Sequence, residues 1–573
     1  MKDYYFLNKE EIESINEIDK TFQKIENIKY NYGLDGFRYD EKNLDRLIFR
    51  SGIMASILSM SKNGLPIGIM ITGGNNKNTD NGIIIASEGG KMLSTEEEKC
   101  FEEIINSNNL IDSINLIFAK LRPIQGKCII IIGIDNRKSS KKFSKLLKKG
   151  LECIKNCSFN YYNITPIPQL CFLTLFNQMA FQKIGLKYKM IFVPQDNYWA
   201  YLNNSFIKFL SYYNMVFKNN NKDNNKYENE LCIDCSNGMA NLYKNKILNI
   251  FTNKENNYQI KINYINDNNI DAIDNNCGIK SILQNKIPKN KKEKYPSIIK
   301  NVVLSSDLDC LIYYIDNDDK KDEKIDIIKG EKMIVLYCKI LDFLINNFSK
   351  NLKIKFFEMI KMGIITSIFC NKAFISYFDN NLKSNYELCI VKTGIKNLQK
   401  ESKKFDISIC YDYNGQGTIY INNELNVKFG KLSSLIETSK DSQIIELFQI
   451  FISLFNIASS DGLANLFNIE LILKTMNLSI KDVFNFYEDI PYQIVDINIK
   501  DKNKFVTNDD DHKLLEPSDV KNKIEELINK FEKSRIVISP FEVENCLKIY
   551  VESKNHNKEI IEEISKFIKE GNF

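Results

Sequence analysis

Histidine is nearly absent from this sequence. Only His512 and His556 occur among 573 residues, and both lie in polar segments that we expect to be exposed. A catalytic triad that depends on histidine, or a metal site built from several histidines, needs more of this residue than the chain provides. Neither kind of site is expected.

The sequence also lacks a long apolar run. None reaches the roughly 18 consecutive apolar residues that a membrane-spanning helix requires. The N-terminal segment, MKDYYFLNKEEIESINEIDK, is charged throughout, so it resembles neither a signal peptide nor a basic, acid-poor transit peptide. We therefore expect a cytoplasmic protein that does not bind membranes.

The charge balance has no strong sign. Lysine and arginine number 78, aspartate and glutamate number 73, and the formal net charge is +5. This excess is too small, and the lysines are too scattered, to indicate nucleic-acid binding. No feature of the sequence identifies a protein partner.

The 14 cysteines form no dense disulfide framework, so we expect reduced and buried thiols. One CxxC motif runs from Cys232 to Cys235. Because no second CxxC completes a zinc site, we interpret it as a buried strand that enters a turn.

The length predicts about four domains at roughly 150 residues each. Apolar strands alternate with helical patterns, which favours layered α/β domains. The C-terminal segment differs, since two strands and one helix there predict a small α+β module. We expect strands at 65–72, 128–134, 230–235 and 301–307, and helices at 44–61, 96–121 and 141–153. Three polar segments, 218–229, 266–295 and 501–517, are interpreted as insertions or linkers.

Polar residues gather where four strands end, which is where α/β folds carry their functional loops. The paired glycines Gly73 and Gly74 permit a tight turn with free backbone N–H groups, or simply a plain turn. Asp307 and Asp309 offer oxygen ligands to a hard divalent cation, or belong to a solvated loop. Residues 411–418 form a glycine-hinged polar loop that suits sugar hydroxyls, or a simple hairpin. Residues 539–542 are interpreted as an ordinary hairpin tip.

Taken in order, several segments resemble the phosphoacetylglucosamine mutases of the α-D-phosphohexomutase superfamily. The resemblance covers most of the chain. Tyr32–Arg38 resembles the family's Tyr-Gly-Thr-Ala-Gly-Phe-Arg, and Gly133–Ser140 resembles its Gly-Arg-Asp-Thr-Arg-Pro-Ser-Ser. Further matching stretches are Ile233–Gly238, Lys392–Leu398 and Phe405–Ile407.

This resemblance implies a fold of three α/β domains and a C-terminal α+β domain, at 1–196, 197–300, 301–455 and 456–573, with the four loops facing one central cleft. It implies a reaction in which a phosphoserine exchanges phosphoryl groups with an amino-sugar phosphate beside Mg²⁺. The residues implied to bind the substrate are Arg38, Arg137, Lys396, Asp412, Asn414 and Gly415.

Three of the four loops depart from the family's motifs. Gly74 stands where the serine loop Thr-Ala-Ser-His-Asn-Pro has its nucleophile. Ser305, Asp307 and Asp309 stand where the metal loop has three aspartates, so Mg²⁺ binding is expected to be weak or absent. The phosphate loop Arg-Pro-Ser-Gly-Thr-Glu is replaced from Ser539 onward, with Glu542 expected to repel a phosphate. In the sugar loop, Asp412 replaces glutamate.

Three hypotheses follow from these departures. The chain is an active or residually active mutase, or a catalytically silent homologue that binds a sugar phosphate or a partner, or a mutase with rerouted chemistry. The third hypothesis includes, for instance, the use of a different phosphoryl donor. Phosphorylation of Thr72 or Ser305, the nearby hydroxyls, would instead favour a relocated nucleophile. Since three changes in one pocket all remove catalytic groups, the residues favour impaired or silent catalysis.

Overall fold

The computed structural model describes residues 5–573 except 26–27, 75, 77, 123–125, 185–191, 218–225, 253–258, 285–286, 317–324, 423, 437, 509–510, 542–544 and 572. Several predictions therefore lie outside the described residues. They concern Asn75 and Lys77 of the first loop, Glu542 to Glu544 of the last loop, and most of the polar segment 218–229.

The chain forms two compact units. The first contains Met1–Asn220, Glu228–Ile327 and Ile450–Leu471, and the second contains Asn221–Tyr227, Ile328–Gln449 and Ile472–Phe573. Each unit combines sheets with helices, which confirms the predicted α/β class.

The first sheet has the strand order β1-β3-β2-β4-β5. Strands β2, β4 and β5 run parallel, while β3 pairs antiparallel with β1 and β2. β4 is the apolar sequence CIIIIGI and is buried along its whole length, as expected for a strand covered on both faces. The strands are β1 (Phe37–Asp40), β2 (Pro66–Ile71), β3 (Asp80–Ala86), β4 (Cys128–Ile134) and β5 (Cys157–Ile164).

The second sheet has the order β10-β9-β8-β6-β7, with β8, β6 and β7 parallel. β8 pairs with β6, so the boundary expected at residue 300 would fall inside this sheet. A boundary after β10, which ends at Ile328, would keep the whole sheet in the second domain. The strands are β6 (Glu230–Asp234), β7 (Lys261–Ile265), β8 (Lys300–Leu304), β9 (Leu311–Ile315) and β10 (Asp326–Ile328).

The helices in this half of the chain follow the predicted pattern with one correction. The expected helix 96–121 is two helices, α3 and α4, because Ser107 leaves the first in an extended conformation and the Asn109 side chain caps the second. The helices are α1 (Lys9–Asp19), α2 (Asp45–Ser61), α3 (Thr95–Asn106), α4 (Leu110–Leu121), α5 (Ser140–Glu152), α6 (Ile167–Ile184), α7 (Asn197–Phe217), α8 (Lys244–Phe251), α9 (Gly278–Leu283) and α10 (Lys289–Lys294).

The third sheet, of order β12-β11-β13-β14, ends in an antiparallel hairpin formed by β13 and β14. A three-stranded antiparallel sheet follows near the C-terminus. Its strand β15 was missed from the sequence, whereas β18, β19 and the final helix were predicted. The strands are β11 (Met362–Ser367), β12 (Glu387–Val391), β13 (Ile407–Tyr411), β14 (Gly417–Ile421), β15 (Tyr492–Asn498), β16 (Val506–Thr507), β17 (Leu514–Glu516), β18 (Arg535–Pro540) and β19 (Cys546–Glu552).

The remaining helices pack mainly against these sheets. They are α11 (Gly330–Asn346), α12 (Lys350–Met359), α13 (Lys372–Asn381), α14 (Ile395–Ser402), α15 (Leu425–Ser433), α16 (Ser439–Ile452), α17 (Gly462–Thr475), α18 (Ile480–Phe484), α19 (Ser518–Lys530) and α20 (Asn557–Glu570).

Candidate functional site

The turn after β2 places Gly74 beside two charged side chains. Gly74 has a φ of +57°, and a Cβ atom built on it would lie 3.4 Å from Nε of Arg38 and 3.8 Å from Oδ2 of Asp307. The backbone N–H of Gly74 donates to Oγ1 of Thr72 at 2.9 Å. The first unit therefore brings three sequence-predicted positions, Arg38, Gly74 and Asp307, into one place.

Arg137 holds this turn in shape. Its guanidinium donates to Oδ2 of Asp135 at 2.6 Å, to the carbonyl of Gly74 at 2.9 Å and to the carbonyl of Asn76 at 3.0 Å. The N–H of Gly73 donates to the same Asp135 carboxylate at 3.1 Å. Arg137 is buried, and its terminal N–H groups are used by the Asp135 carboxylate and by two backbone carbonyls.

Arg38 is engaged less completely. Its Nη1 donates to the carbonyl of Phe37 at 2.9 Å. Its Nε is buried and has no hydrogen-bond partner within the described part of the chain. Since Nε faces the side of Gly74 that carries no side chain, Arg38 keeps a donor for an anionic group at this position.

Ser305 closes the turn between β8 and β9. Its hydroxyl accepts from the N–H groups of Asp309 at 3.0 Å and Cys310 at 3.1 Å, and it donates to Oδ1 of Asp309 at 2.7 Å. Two accepted bonds occupy the lone pairs of this oxygen. In this arrangement Ser305 does not fit the role of a third metal ligand.

Asp307 is the carboxylate that remains oriented toward Gly74. It is buried, and its Oδ1 has no hydrogen-bond partner among the described residues. Burial and the neighbouring Asp309 raise the pKa of Asp307 well above its usual value, against the effect of Arg38 and Arg137. The described residues contain no group of three or more His, Cys, Asp or Glu side chains that could hold a metal ion.

Asp274 is a neighbour that the sequence did not single out. Burial raises its pKa to about 6, with a hydrogen bond to Ser306 and the charge of Asp307 as smaller influences. Its Oδ2 has no hydrogen-bond partner in the described structure. Asp274 lies in an Asn- and Asp-rich segment, so nothing in its local sequence distinguished it from a solvated loop residue.

A cavity of about 260 Å³ lies beside Arg137, which is one of its lining residues. It lies between the residues that follow β4 and those that follow β6, with Asn136, Asn237 and Asn241 among its walls. Lys141, in the first turn of α5, adds a positive charge. Ile164 and Leu242 also line it, so the cavity next to the Gly74 turn has both polar and apolar walls.

In the second unit, Asp412 begins the loop between β13 and β14. Its Oδ1 accepts from the Ser367 hydroxyl at 2.6 Å and the Tyr413 N–H at 2.7 Å. Its Oδ2 accepts from the Thr393 hydroxyl and from the Gly394 N–H at 3.0 Å. Asp412 is 1% exposed, so this carboxylate is committed to protein donors on both oxygens.

Asn414 and Gly415 complete the same loop. The Asn414 side chain accepts from the N–H of Gln416 at 3.1 Å, and Gly415 has a φ of +82°, which favours glycine. Asp412 also ties the loop to residues 393–394, directly before α14. Lys396 lies in the first turn of that helix. In the second unit, the loop with Asp412, Asn414 and Gly415 is therefore joined to the segment that leads to Lys396.

Ser539 is buried near the end of β18 and donates to Oδ2 of Asp511 at 2.9 Å. Oδ1 of Asp511 forms an ion pair with Lys392 at 2.9 Å. The position expected to carry a phosphate-binding arginine is therefore a small side chain held by an internal carboxylate.

Comparisons with known proteins agree with this architecture. Residues 329–478 match the domain family described as phosphoacetylglucosamine mutase AMG1, domain III. A phosphoacetylglucosamine mutase of Candida albicans is 26% identical over 96% of this chain and 97% of its own length. The human phosphoacetylglucosamine mutase is 23% identical over 91% of this chain and 90% of its own length.

The chain is similar along nearly its whole length to the phosphoacetylglucosamine mutases. Solved structures of such mutases share its fold. A crystal structure of an N-acetylglucosamine-phosphate mutase, of the α-D-phosphohexomutase superfamily in a substrate complex, has a TM-score of 0.83 at 23% identity, covering 98% of this chain and 99% of that one. The Aspergillus fumigatus enzyme in complex with GlcNAc-6P and magnesium has a TM-score of 0.84 at 20% identity, covering 99% and 100%.

The range matched by domain III begins directly after β10, which agrees with a second domain that includes β8 and β9. None of the helices in the described regions is long and apolar enough to cross a membrane.

Proposed function

We propose that this mutase homologue binds an amino-sugar phosphate and interconverts N-acetylglucosamine 6-phosphate and 1-phosphate with strongly impaired catalysis. The family reaction needs a serine that accepts and returns a phosphoryl group. The observation that carries the proposal is Gly74, which occupies the nucleophile position, offers no hydroxyl, and lies beside Arg38 and Asp307.

Neither nearby hydroxyl is available as a replacement nucleophile. Thr72 is fully buried, and its Oγ1 accepts the N–H of Gly74. The hydroxyl of Ser305 is engaged in three hydrogen bonds within its own turn. These contacts argue against the hypothesis of a relocated serine or threonine nucleophile.

Mg²⁺ binding is weak or absent under this proposal. Asp307 and Asp309 are the carboxylates of the loop, and the oxygen of Ser305 has no lone pair left for a cation. Mg²⁺ retains its water shell strongly and requires carboxylate charge to bind directly. One carboxylate fewer than the family's motif therefore weakens the site.

The proposed binding of an anionic group rests on Arg38. Arg38 retains an unpartnered Nε for an anionic group. Within the second unit, Lys396, Asn414 and Gly415 are proposed to contact sugar hydroxyls. Asp412 contributes by holding the two neighbouring segments in place.

A second candidate function is a catalytically silent scaffold that binds a partner protein. Ser305 stands where the family's metal loop has an aspartate, and Ser539 stands where its phosphate loop has an arginine. Both serines are used for internal hydrogen bonds, which favours this alternative. Under this alternative, sugar-phosphate binding is not required.

A coupled assay with the purified full chain tests these proposals. N-acetylglucosamine 6-phosphate, Mg²⁺ and a sugar bisphosphate are supplied, and formation of the 1-phosphate is followed beside a mutase with an intact serine loop. Loss of a serine nucleophile in an unrelated enzyme costs on the order of 10⁶ in turnover, so we expect a rate near background.

Calorimetric titration with N-acetylglucosamine 6-phosphate separates the two candidates. Binding with slow turnover supports the impaired mutase, binding without turnover supports a silent sugar-phosphate binder, and absence of both supports the partner-binding scaffold. Turnover within about tenfold of the reference mutase, a gap of about 1.4 kcal/mol in barrier height, would contradict both proposals.

A further inference from the structure

Two cysteines that are distant in sequence begin adjacent strands of the first sheet. Cys128 is the first residue of β4 and Cys157 the first residue of β5, and the two are register partners in a parallel pair. Side chains at paired positions point to the same face of a sheet. Neighbouring strands lie about 4.8 Å apart, which falls within the roughly 4.4–6.8 Å between Cα atoms that a disulfide accepts.

The surroundings distinguish the two thiols. Cys128 is fully buried, whereas Cys157 lies on the edge strand of the sheet and is partly exposed. Sγ of Cys157 lies 3.6 Å from Oγ of Ser56. A hydrogen bond from Cys128 lowers the pKa of Cys157 below its usual value. Burial opposes this shift, and the Ser56 contact adds to it. The same hydrogen bond and burial raise the pKa of Cys128.

We propose that Cys128 and Cys157 form a reversible oxidation site, which closes to a disulfide in the presence of a hydroperoxide. Cys157 is the attacking thiolate, because it is the more accessible partner and Cys128 offers it a hydrogen bond. Cys128 is the resolving thiol, because it is its neighbour across the strand pair.

The reaction balances with hydrogen peroxide as the oxidant. The Cys157 thiolate attacks one peroxide oxygen, the O–O bond breaks and hydroxide leaves as water after taking up a proton, which gives a sulfenic acid on Cys157. The Cys128 sulfur then attacks Sγ of Cys157, the S–O bond breaks and a second water leaves. Two thiols and one peroxide yield one disulfide and two waters.

The CxxC motif noted in the sequence is the natural comparison. Cys232 and Cys235 are 1% and 0% exposed. Burial raises the pKa of Cys232 to about 12 and that of Cys235 well above its usual value. Such thiols are poor nucleophiles at neutral pH. Cys153, which is close to Cys157 in sequence, directs its thiol to the carbonyl of Lys149 at 3.2 Å instead.

The proposed bond lies at the amino ends of β4 and β5. Gly74 follows the carboxyl end of β2, which runs parallel to both. The cysteines and Gly74 therefore lie at opposite ends of these parallel strands. We expect oxidation to leave any sugar-phosphate affinity of the Gly74 region unchanged.

Peroxide treatment of the full chain, followed by thiol counting under denaturing conditions, tests the proposal. We expect the 14 free thiols of the chain to fall by two, and non-reducing peptide mass spectrometry to show a Cys128–Cys157 crosslink that dithiothreitol removes. Loss of no thiols, or a crosslink that joins Cys153 or Cys232 instead, would overturn the proposal.

Variants assign the roles of the two thiols. Cys128→Ser should leave a sulfenic acid on Cys157 that dimedone labels, whereas Cys157→Ser should abolish both crosslink and label. Cys232→Ser is the matched control and should retain the crosslink. A dimedone label on Cys128 in the Cys157→Ser variant would contradict the assignment, and the wild-type crosslink remains informative if either variant fails to fold.

Discussion

The direction in which a side chain would leave Gly74 points to Arg38, since an added Cβ would lie 3.4 Å from Nε of that arginine. The contact is close without being prohibitive. The backbone conformation is the stronger constraint, because a φ of +57° lies in the left-handed region that favours glycine. The missing hydroxyl separates this position from a phosphoserine, and the backbone conformation adds a cost to any side chain placed there.

Gly74→Ser should not restore mutase activity. The new hydroxyl would still lack a complete metal site and an arginine at the phosphate loop, and these charges stabilise the transferring phosphoryl group. The variant should lose about 1 kcal/mol of unfolding free energy because of the left-handed backbone. Urea unfolding and the coupled assay measure the two effects.

Gly74→Ala is the matched control, with the same backbone cost and no hydroxyl. Addition of Ser305→Asp and Ser539→Arg to Gly74→Ser should gain far more than the sum of the single changes, since such residues act as a unit. Full activity from Gly74→Ser alone would show that the other losses do not matter.

Ser305→Asp should tighten Mg²⁺ binding. It returns the carboxylate that the family's motif has at this position, and a carboxylate oxygen can also accept the N–H groups of Asp309 and Cys310. Isothermal titration calorimetry measures the change. Unchanged Mg²⁺ affinity would mean that Asp307 and Asp309 are not metal ligands.

Ser305→Ala should instead destabilise the turn without affecting Mg²⁺. Two buried backbone N–H groups would lose their acceptor, at a cost of about 1–3 kcal/mol. Chemical denaturation measures this loss, and Ser306→Ala, beside it in the same turn, is the comparison. Equal losses for both variants would contradict the specific role of Ser305.

Asp412→Asn should lower the free energy of unfolding of the protein by weakening the loop between β13 and β14. One acceptor oxygen becomes an N–H₂ group that faces either the Ser367 and Tyr413 donors or the Thr393 and Gly394 donors. We expect a loss of about 2–3 kcal/mol from this buried charged hydrogen-bond network. Asp412→Glu, the family's residue, is the control, and a neutral effect of Asp412→Asn would show that the observed hydrogen bonds contribute little.

Many strands and helices could be predicted from the pattern of apolar residues in the sequence. The apolar run Cys128–Ile134 was predicted as a strand with the bounds that β4 has. The capping side chain of Asn109, which divides a predicted helix into α3 and α4, was overlooked although asparagine at a helix start is a recognisable signal. Strand β15 was missed because its alternating pattern does not stand out in an Asn- and Lys-rich sequence.

The candidate site was accessible from the sequence only through its resemblance to a family. Alignment placed Gly74, Asp307 and Asp412, but it could not show that Asp412 is fully hydrogen-bonded. Nor could it reveal Asp274 or the Cys128–Cys157 pair. Each of these depends on contacts between segments far apart in sequence, and local pattern carries no record of such contacts.

The buried carboxylate Asp234 should make stability depend on pH. Burial raises its pKa to about 7, although the N–H of Ser236 opposes the shift. Because the folded state holds this proton more tightly than the unfolded state, stability should decrease as pH rises from about 4 to about 7 and then level off, with a slope of at most about 1.4 kcal/mol per pH unit from this group.

Asp234→Asn should remove that contribution and stabilise the protein above pH 7 relative to the unmodified chain. Thermal unfolding across pH 4–9 measures the difference, with the exposed Asp271→Asn as the control. A parallel pH profile for wild type and Asp234→Asn would show that Asp234 is ionised in the folded protein throughout this range.

Phosphoryl transfer to the protein itself tests the central claim most directly. The full chain is incubated with ³²P-labelled glucose 1,6-bisphosphate and Mg²⁺, and incorporated label is mapped by peptide mass spectrometry. Since Gly74 has no hydroxyl and those of Thr72 and Ser305 are engaged, we predict no label on residues 72–82 or 305–310. Stoichiometric label on Thr72 or Ser305, with turnover of N-acetylglucosamine 6-phosphate, would contradict the account and establish a relocated nucleophile.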